Sequence, residues 1–311
     1  MSLAPYIQIV ARGKGRARPL TLDEAKAAMA LILAGRAEPE AIGALLMVLR
    51  LRGEVAEEIA GFAAALREHT RNQSQPADLD WPSYAAGRTR GAPLFFLAAR
   101  LVADAGYRVS IHGWNSHQAD VASLSPVLFL TGGNLRYNPL QTLCPEAFRL
   151  LQLRDTFGLR SCINTVLRMW NPTNAPVTVQ GVFHPSYRGL QACAAKLLGQ
   201  KDLTVIKGGG GEFERHPGKD ITVFGLRDGM HLQKVAPTLI DETRKLHNAN
   251  HTIDPVALWH GTHVDEFAIH TVIGTAALAL WTLKAAPTIL QTQEMARALW
   301  TQRHRSESLS A

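Results

Sequence analysis

The hydrophobic periodicity of this chain changes once, near residue 72, and that change limits the folds open to it. Over the first seventy residues apolar side chains recur at helical spacing. Thr21-Leu22-Asp23-Glu24 reads as a capping box, the Thr21 side chain accepting from the Glu24 amide while Glu24 reaches back. Behind it Ala25, Ala28, Met29 and Ile32 form one stripe, which Gly35 closes. Pro39 stands where a first helical residue belongs and is followed by Ile42, Leu45, Leu46 and Leu49 on one face. Ile59, Phe62, Ala63 and Leu66 make a third stripe. Asn72 to Asp80 is polar, holds a proline, and reads as a hinge. Beyond it Arg108 to Ile111, Leu203 to Ile206 and Ile221 to Phe224 are β-like runs that alternate with helical segments, the pattern of an α/β sheet domain. Pro145 to Leu159 returns to helical spacing and is expected to fold back onto the N-terminal helices. The expected division is a helical domain over 1–71, joined by about 144–170, and an α/β domain over 72–311.

With 311 residues, 46% hydrophobic and 19% charged, the chain can bury a sizeable core and is not disordered in character. Its formal net charge is +7, which favours polyanionic partners without specifying one. Cys144, Cys162 and Cys193 show no C-x-x-C spacing, and so odd and sparse a set argues against a disulfide framework. The most apolar segment, Ala268 to Leu283, is interrupted by His270 and several threonines and is too short to span a bilayer. No secretory signal is visible, and the expectation is a cytoplasmic protein with no membrane partner.

Between residues 158 and 214 four motifs follow one another. They are Gly158-Leu159-Arg160-Ser161-Cys162-Ile163-Asn164, Asn171-Pro172, Gly181-Val182-Phe183-His184-Pro185 and Lys207-Gly208-Gly209-Gly210-Gly211-Glu212-Phe213-Glu214. In this order they resemble the anthranilate phosphoribosyltransferases, with G-x-R-T-I-F-N, N-P, G-V-x-x-P and a glycine loop ending in D-G-L-D-E. Ala41 to Leu66 resembles that family's second and third helices. The resemblance covers nearly the whole chain. It implies the nucleoside phosphorylase/phosphoribosyltransferase-type fold, an α/β class with a small all-helical N-terminal domain and a larger α/β sheet domain, the substrate lying between them.

The residues that would carry the family's reaction differ. Where the family holds magnesium with adjacent Asp and Glu, this chain has Phe213 and Glu214, and a phenylalanine offers no hard oxygen donor. The family's G-T-G-G-D-G turn corresponds to Tyr84 to Gly91, which has lost the acid and gained Arg88 and Arg90. Its N-x-S-T helix start corresponds to Leu94-Phe95-Phe96-Leu97, and its K-H-G-N-R-S to Ile111-His112-Gly113-Trp114-Asn115-Ser116. His112, Gly113, Asn115, Ser116 and Glu214 therefore read as remnants of a pocket, with no catalytic residue and no magnesium or other cofactor expected. Arg160 matches the arginine that the family places on the anthranilate carboxylate; a packing role for it is equally open. Gly208 to Gly211 reads as a phosphate-accepting nest or, more commonly for such a run, a loose loop.

Cations are gained instead. Arg12, Lys14, Arg16 and Arg18 fall within seven residues, on one side of an extended arm. Arg88, Arg90, Lys207 and Arg215 occupy the altered motifs. This pattern resembles the YbiB-like branch of the family, with which the chain shares an Arg-Gly-Lys start and Cys144-Pro145. That resemblance implies a homodimer that binds nucleic acid with little sequence preference through basic clefts, these cations and Arg160 meeting phosphates. Trp114 or Tyr187 would stack on bases. The alternative is a glycosyltransferase or phosphoribosyltransferase acting on an unidentified substrate. His247, His251, His260 and His263, with Asp265 and Glu266, match no zinc spacing and read as solvated loop residues; Arg303-His304-Arg305 reads as a frayed tail.

Overall fold

Helices open the chain because its capping residues and apolar stripes agree. They are α1 (Ala4–Ala11), α2 (Leu22–Leu33), α3 (Pro39–Arg52) and α4 (Ala56–His69). The computed structural model describes residues 2–13, 15–71, 74–84, 91–114, 125–242, 244–246 and 253–303. The capping box at Thr21 forms in both directions. Ala25, Ala28, Met29 and Ile32 are buried, as are Ile59, Phe62, Ala63 and Leu66 on α4. Gly61 lets these two helices approach closely: a Cβ there would lie 2.3 Å from the Leu22 carbonyl oxygen.

After β1 (Leu79–Ser83) the chain alternates: α5 (Leu94–Asp104), β2 (Val109–Gly113), a 3-10 turn over 125–130, and β3 (Leu135–Pro139). Three helices follow, α6 (Leu140–Leu143), α7 (Pro145–Phe157) and α8 (Ile163–Met169). The sheet then resumes with β4 (Val177–Val182), α9 (Tyr187–Leu197), β5 (Asp202–Lys207), β6 (Ile221–Arg227) and β7 (Met230–Ala236). It closes with α10 (Pro255–His260), α11 (Glu266–Thr282) and α12 (Ile289–Gln302). The seven strands lie in the order β3-β2-β1-β4-β5-β6-β7. The first five run parallel, while β6 and β7 add an antiparallel edge.

Two of the strand runs expected from the sequence sit inside β5 and β6, and the third, Arg108 to Ile111, overlaps β2 from its second residue. The expected hinge ends earlier than Asp80, because Leu79 and Asp80 begin β1 and both are buried. Asp78 just before them is pinned to Arg108 by two side-chain hydrogen bonds. Two apolar clusters cover the two faces of the sheet. One joins α2, α3 and α4 to α7, α8 and α9 and takes Leu203 and Val205 of β5. The other packs α5, α11 and α12 over Trp81, Val179 and Ile206. Adjacent residues of β5 thus serve opposite faces, as strand pleating requires. Ala147, Phe148, Leu150 and Leu151 put α7 into the cluster of the N-terminal helices. Arg67 of α4 also donates to the carbonyls of Trp170 and Met169, at 2.7 and 3.1 Å. Among the described residues no helix is long and apolar enough to cross a membrane.

Candidate functional site

In an open parallel sheet, ligands gather beyond the carboxyl ends of the strands where the strand order reverses. Here that point lies between β1 and β4, and the glycine loop after β5 flanks it. The loop is tightly built. Its Gly208, Gly211 and Glu212 amides donate to the carbonyls of Val182, Gly208 and Gly209. A Cβ on Gly208 would come within 1.6 Å of the Glu212 carbonyl oxygen, and one on Gly181 within 2.2 Å of the same atom. These contacts correct both sequence readings of Gly208 to Gly211: the run is a packed turn, and three of the amides a phosphate nest would use already have partners.

Phe213 turns inward. It is fully buried and meets Trp81 of β1 edge-on with centroids 5.4 Å apart; Trp81 in turn lies 6.4 Å from Phe95. The next residue, Glu214, is also fully buried, and its Oε1 accepts the Phe95 amide at 3.0 Å. A carboxylate of the chain therefore satisfies an amide in the first turn of α5, where free N–H groups would otherwise attract an anion. Glu214 is not the open pocket remnant expected from the sequence.

Nor are His112 and Gly113. His112 is completely buried: Nδ1 shares a 2.8 Å hydrogen bond with the Tyr84 hydroxyl, and Nε2 lies 3.2 Å from Asp80 Oδ1. Thr178 donates to the second oxygen of Asp80 at 3.1 Å. Burial, followed by the nearby Asp80 charge, pushes the Tyr84 phenol well above its usual range. Gly113 is required by packing, since a Cβ there would lie 1.8 Å from the Ser83 carbonyl oxygen. These groups join β1, β2 and β4 from within.

Arg215, expected on a basic cleft, is likewise internal. It has no exposed surface, donates to the Pro237 carbonyl, and its amide donates to Thr275 at 2.9 Å. Burial lowers its guanidinium to about 10. A buried cation that donates to the Pro237 carbonyl cannot meet a phosphate on the surface.

An open pocket does exist at the strand ends, with a volume of about 120 Å³. The end of α3 supplies Arg50, the following turn Glu54, the connection between α7 and α8 Arg160 and Ser161, and α8 itself Asn164, Thr165 and Arg168. Phe183, His184 and Tyr187 close it from the β4–α9 side. Arg168 is fixed by the carbonyls of Tyr84 and Gly211, at 3.0 and 3.5 Å. Tyr187 donates to Glu54 at 3.1 Å, so its ring is held by a carboxylate. Arg160 has no hydrogen-bond or ion-pair partner among the described residues. Burial lowers its guanidinium, and repulsion from Arg154, Arg168 and Arg50 lowers it further. Such convergence attracts an anionic group, and among the described residues of the lining only Glu54 opposes it. Lys207 is exposed at the end of β5, in register with Val182 of the lining. Sequence reading found Arg160 and Lys207 but missed Arg50 and Arg168. Arg50 and Arg160 are far apart in the chain and become neighbours only through packing of α3 against the α7–α8 region.

The N-terminal cations divide. Arg12 and Arg16 are exposed without ion pairs among the described residues. Arg18 is held by Glu24 through two 2.7 Å hydrogen bonds, so it is a structural partner of the α2 cap rather than a free phosphate ligand. The Arg16 amide donates to Gly13 and the Arg18 amide to Ile9, which makes this segment a turn returning along α1, not an extended arm. Trp114 packs edge-on against Phe148 at 4.6 Å and is only half-exposed. Lys14, Arg88, Arg90, Asn115, Ser116, His247, His251, His304 and Arg305 lie outside the described residues. Among the other histidine-region residues, Asp265 caps α11 through the Ala268 amide and pairs with Arg244, while His260 stacks on Phe129. Arg303 donates to the Trp259 carbonyl at 2.6 Å, so this part of the tail is anchored.

Comparison with known proteins agrees with this architecture. Residues 4–70 match the helical bundle domain of a glycosyl transferase family. An anthranilate phosphoribosyltransferase of Symbiobacterium thermophilum is 29% identical over 247 residues, 73% of this chain and 71% of that protein. The uncharacterised protein YbiB of Escherichia coli is 28% identical over 240 residues, 70% of this chain and 74% of its own length. The crystal structure of anthranilate phosphoribosyltransferase from Thermus thermophilus superposes with a TM-score of 0.73 at 21% identity, covering 91% of this chain and 92% of that one. The Saccharomyces cerevisiae enzyme in complex with PRPP and Mg gives 0.71 at 16% identity, over 97% and 95% of the two chains. The fold is that of a helical bundle joined to a mixed seven-stranded α/β sheet, as in the phosphoribosyltransferases. In fold and in sequence the chain is similar to the anthranilate phosphoribosyltransferases.

Proposed function

We propose that this chain is a non-catalytic, nucleic-acid-binding homodimer with little sequence preference, built on the anthranilate phosphoribosyltransferase-like scaffold. The observation that carries the reading is the inward turn of Phe213 and Glu214. The residue aligned with a magnesium-binding acid is part of the apolar core, and its neighbour is engaged by the Phe95 amide. A diphosphate leaving group needs charge stabilisation, and these two residues are poorly placed to supply it through a metal. Cations without an ion-pair partner among the described residues remain: Arg12 and Arg16 near the N-terminus, Lys207 at the strand ends and Arg160 in the pocket beside Arg50. Cations of this kind bind phosphates with counterion release and without reading bases.

The second reading, a glycosyltransferase or phosphoribosyltransferase with another substrate, draws on the pocket around Arg50, Arg160 and Arg168. Its volume of about 120 Å³ is small against the roughly 300–1,000 Å³ of sites that enclose a whole small-molecule ligand. It suits one anionic group better than a sugar diphosphate and its acceptor together.

Replacing Arg12, Lys14 and Arg16 together by Ala should weaken oligonucleotide binding and flatten the dependence of log affinity on log salt by about one unit per lost phosphate contact. Arg18→Ala should leave that slope unchanged, because Glu24 already engages its guanidinium. An unchanged slope in the triple variant would remove this segment from the interface.

A further inference from the structure

Where the last turn of α4 meets the start of α7, three side chains of different chemistry converge. His69 ends α4, Cys144 precedes the first residue of α7, and Glu146 lies in that helix's first turn. His69 Nε2 is 3.5 Å from Glu146 Oε2, and Cys144 Sγ is 3.6 Å from the same oxygen. The three donor atoms all lie within 4.8 Å of one another. A tetrahedral zinc ion with metal–nitrogen and metal–oxygen bonds of about 2.0–2.1 Å and a metal–sulfur bond of about 2.3 Å separates its ligand atoms by about 3.3–3.6 Å. Two edges of the set already have nearly that length. The third closes by rotation of the imidazole, which sits on a partly exposed side chain.

We propose that His69, Cys144 and Glu146 form a zinc(II)-binding site that clamps α7 to the N-terminal helical bundle. Sulfur, imidazole nitrogen and carboxylate oxygen together suit zinc and not the all-oxygen shells of magnesium or calcium. With thiolate and carboxylate both ionised, the site's two negative charges balance the dication. Binding replaces the thiol proton by the metal and releases that proton to solvent, so one S–H bond is exchanged for one S–Zn bond with no redox change. Burial pushes the Cys144 thiol up to about 11, while the Ala147 amide acts in the opposite sense by hydrogen-bonding the sulfur. The fourth position is left for water, and the partial exposure of His69 and Glu146 gives the ion a path in. Without metal the carboxylate serves as acceptor for the Cys144 thiol and partner of His69. A clamp here would act on packing between helices, at a place distinct from the arginine pocket, and the proposal does not rest on nucleic-acid binding.

The test uses the full-length protein stripped of metal by a chelator and then titrated with cobalt(II) as a spectroscopic probe and with zinc(II). The wild type should bind one ion per chain and show a thiolate-to-cobalt charge-transfer band. Cys144→Ser should abolish the band, whereas Cys193→Ser, which alters an exposed thiol, should leave it unchanged. His69→Ala and Glu146→Gln should each weaken zinc at least about tenfold in competition with a chelator, because loss even of outer-sphere partners costs that much. Circular dichroism of each variant separates loss of a ligand from loss of fold. Excess zinc should raise the Tm of the wild type by mass action and not that of His69→Ala. No charge-transfer band in the wild type, or the same band and stoichiometry in Cys144→Ser, would overturn the proposal.

Discussion

Phe213 decides how the strand-end region is built. Its ring fills the space beside Trp81 and draws the backbone of residues 208–214 down onto Gly181. Truncating it to Ala should cost about 3–5 kcal/mol of stability, the usual range for a buried aromatic. Phe213→Asp should cost at least as much, because the carboxylate would face the indole and phenyl groups of Trp81 and Phe95 without a charged partner. That variant is expected to make no anthranilate transfer product even with magnesium and phosphoribosyl pyrophosphate. Urea denaturation and a product assay check both halves; a stable, active Phe213→Asp protein would mean that the loop can turn outward. The fate of this residue was half-visible in the sequence. The motif comparison set a phenylalanine where the family has a metal-binding acid, but burial of Phe213 beneath β1 depends on residues more than a hundred positions away. Arg215 and His112 were misplaced for the same reason. A charged or polar residue reads as surface until its partners are known, and those of Arg215 are Pro237 and Thr275, 22 and 60 positions further along.

Among the secondary-structure elements, the helices were the legible ones. The capping box at Thr21, Pro39 as the first residue of α3 and the stripes of α2, α3 and α4 are local signals, and each has its expected counterpart. Their packing required one more feature, Gly61, at the closest approach of α4 to α2. Gly61→Ala should cost about 1–3 kcal/mol, as for other overpacked interiors, because the obstructing atoms belong to the backbone at Leu22 and Lys26. A shift in thermal or urea midpoint with an unchanged far-ultraviolet spectrum is the expected result. No loss of stability would mean that the helices separate at little cost. Strands were less legible. β1 contains Pro82, which argues against a central strand, yet β4 pairs with β1 only at Leu79 and Asp80. Pro82 falls where β1 is flanked by β2 alone. β7 escaped notice because it is an exposed edge strand without a buried alternate face, with Met230, His231, Gln233 and Lys234 all toward solvent.

Across the molecule the excess of positive charge is unevenly distributed. Many cations are matched: Lys26 by Glu68, Arg52 by Glu58, Arg108 by Asp78 and Lys284 by Asp202 and Asp228. Those without an acidic partner among the described residues include Arg12, Arg16, Arg50, Arg160 and Lys207. At the strand ends the described residues are thus buried at Phe213 and Glu214 and cationic beside them, around Arg50, Arg160 and Arg168. The measurement that discriminates most directly is fluorescence anisotropy of a labelled oligonucleotide against this protein over a salt series, with and without magnesium phosphoribosyl pyrophosphate. Binding that falls steeply with salt and is unmoved by the competitor is the expected result. Displacement by the competitor at constant ionic strength, or no binding at low salt, would contradict it.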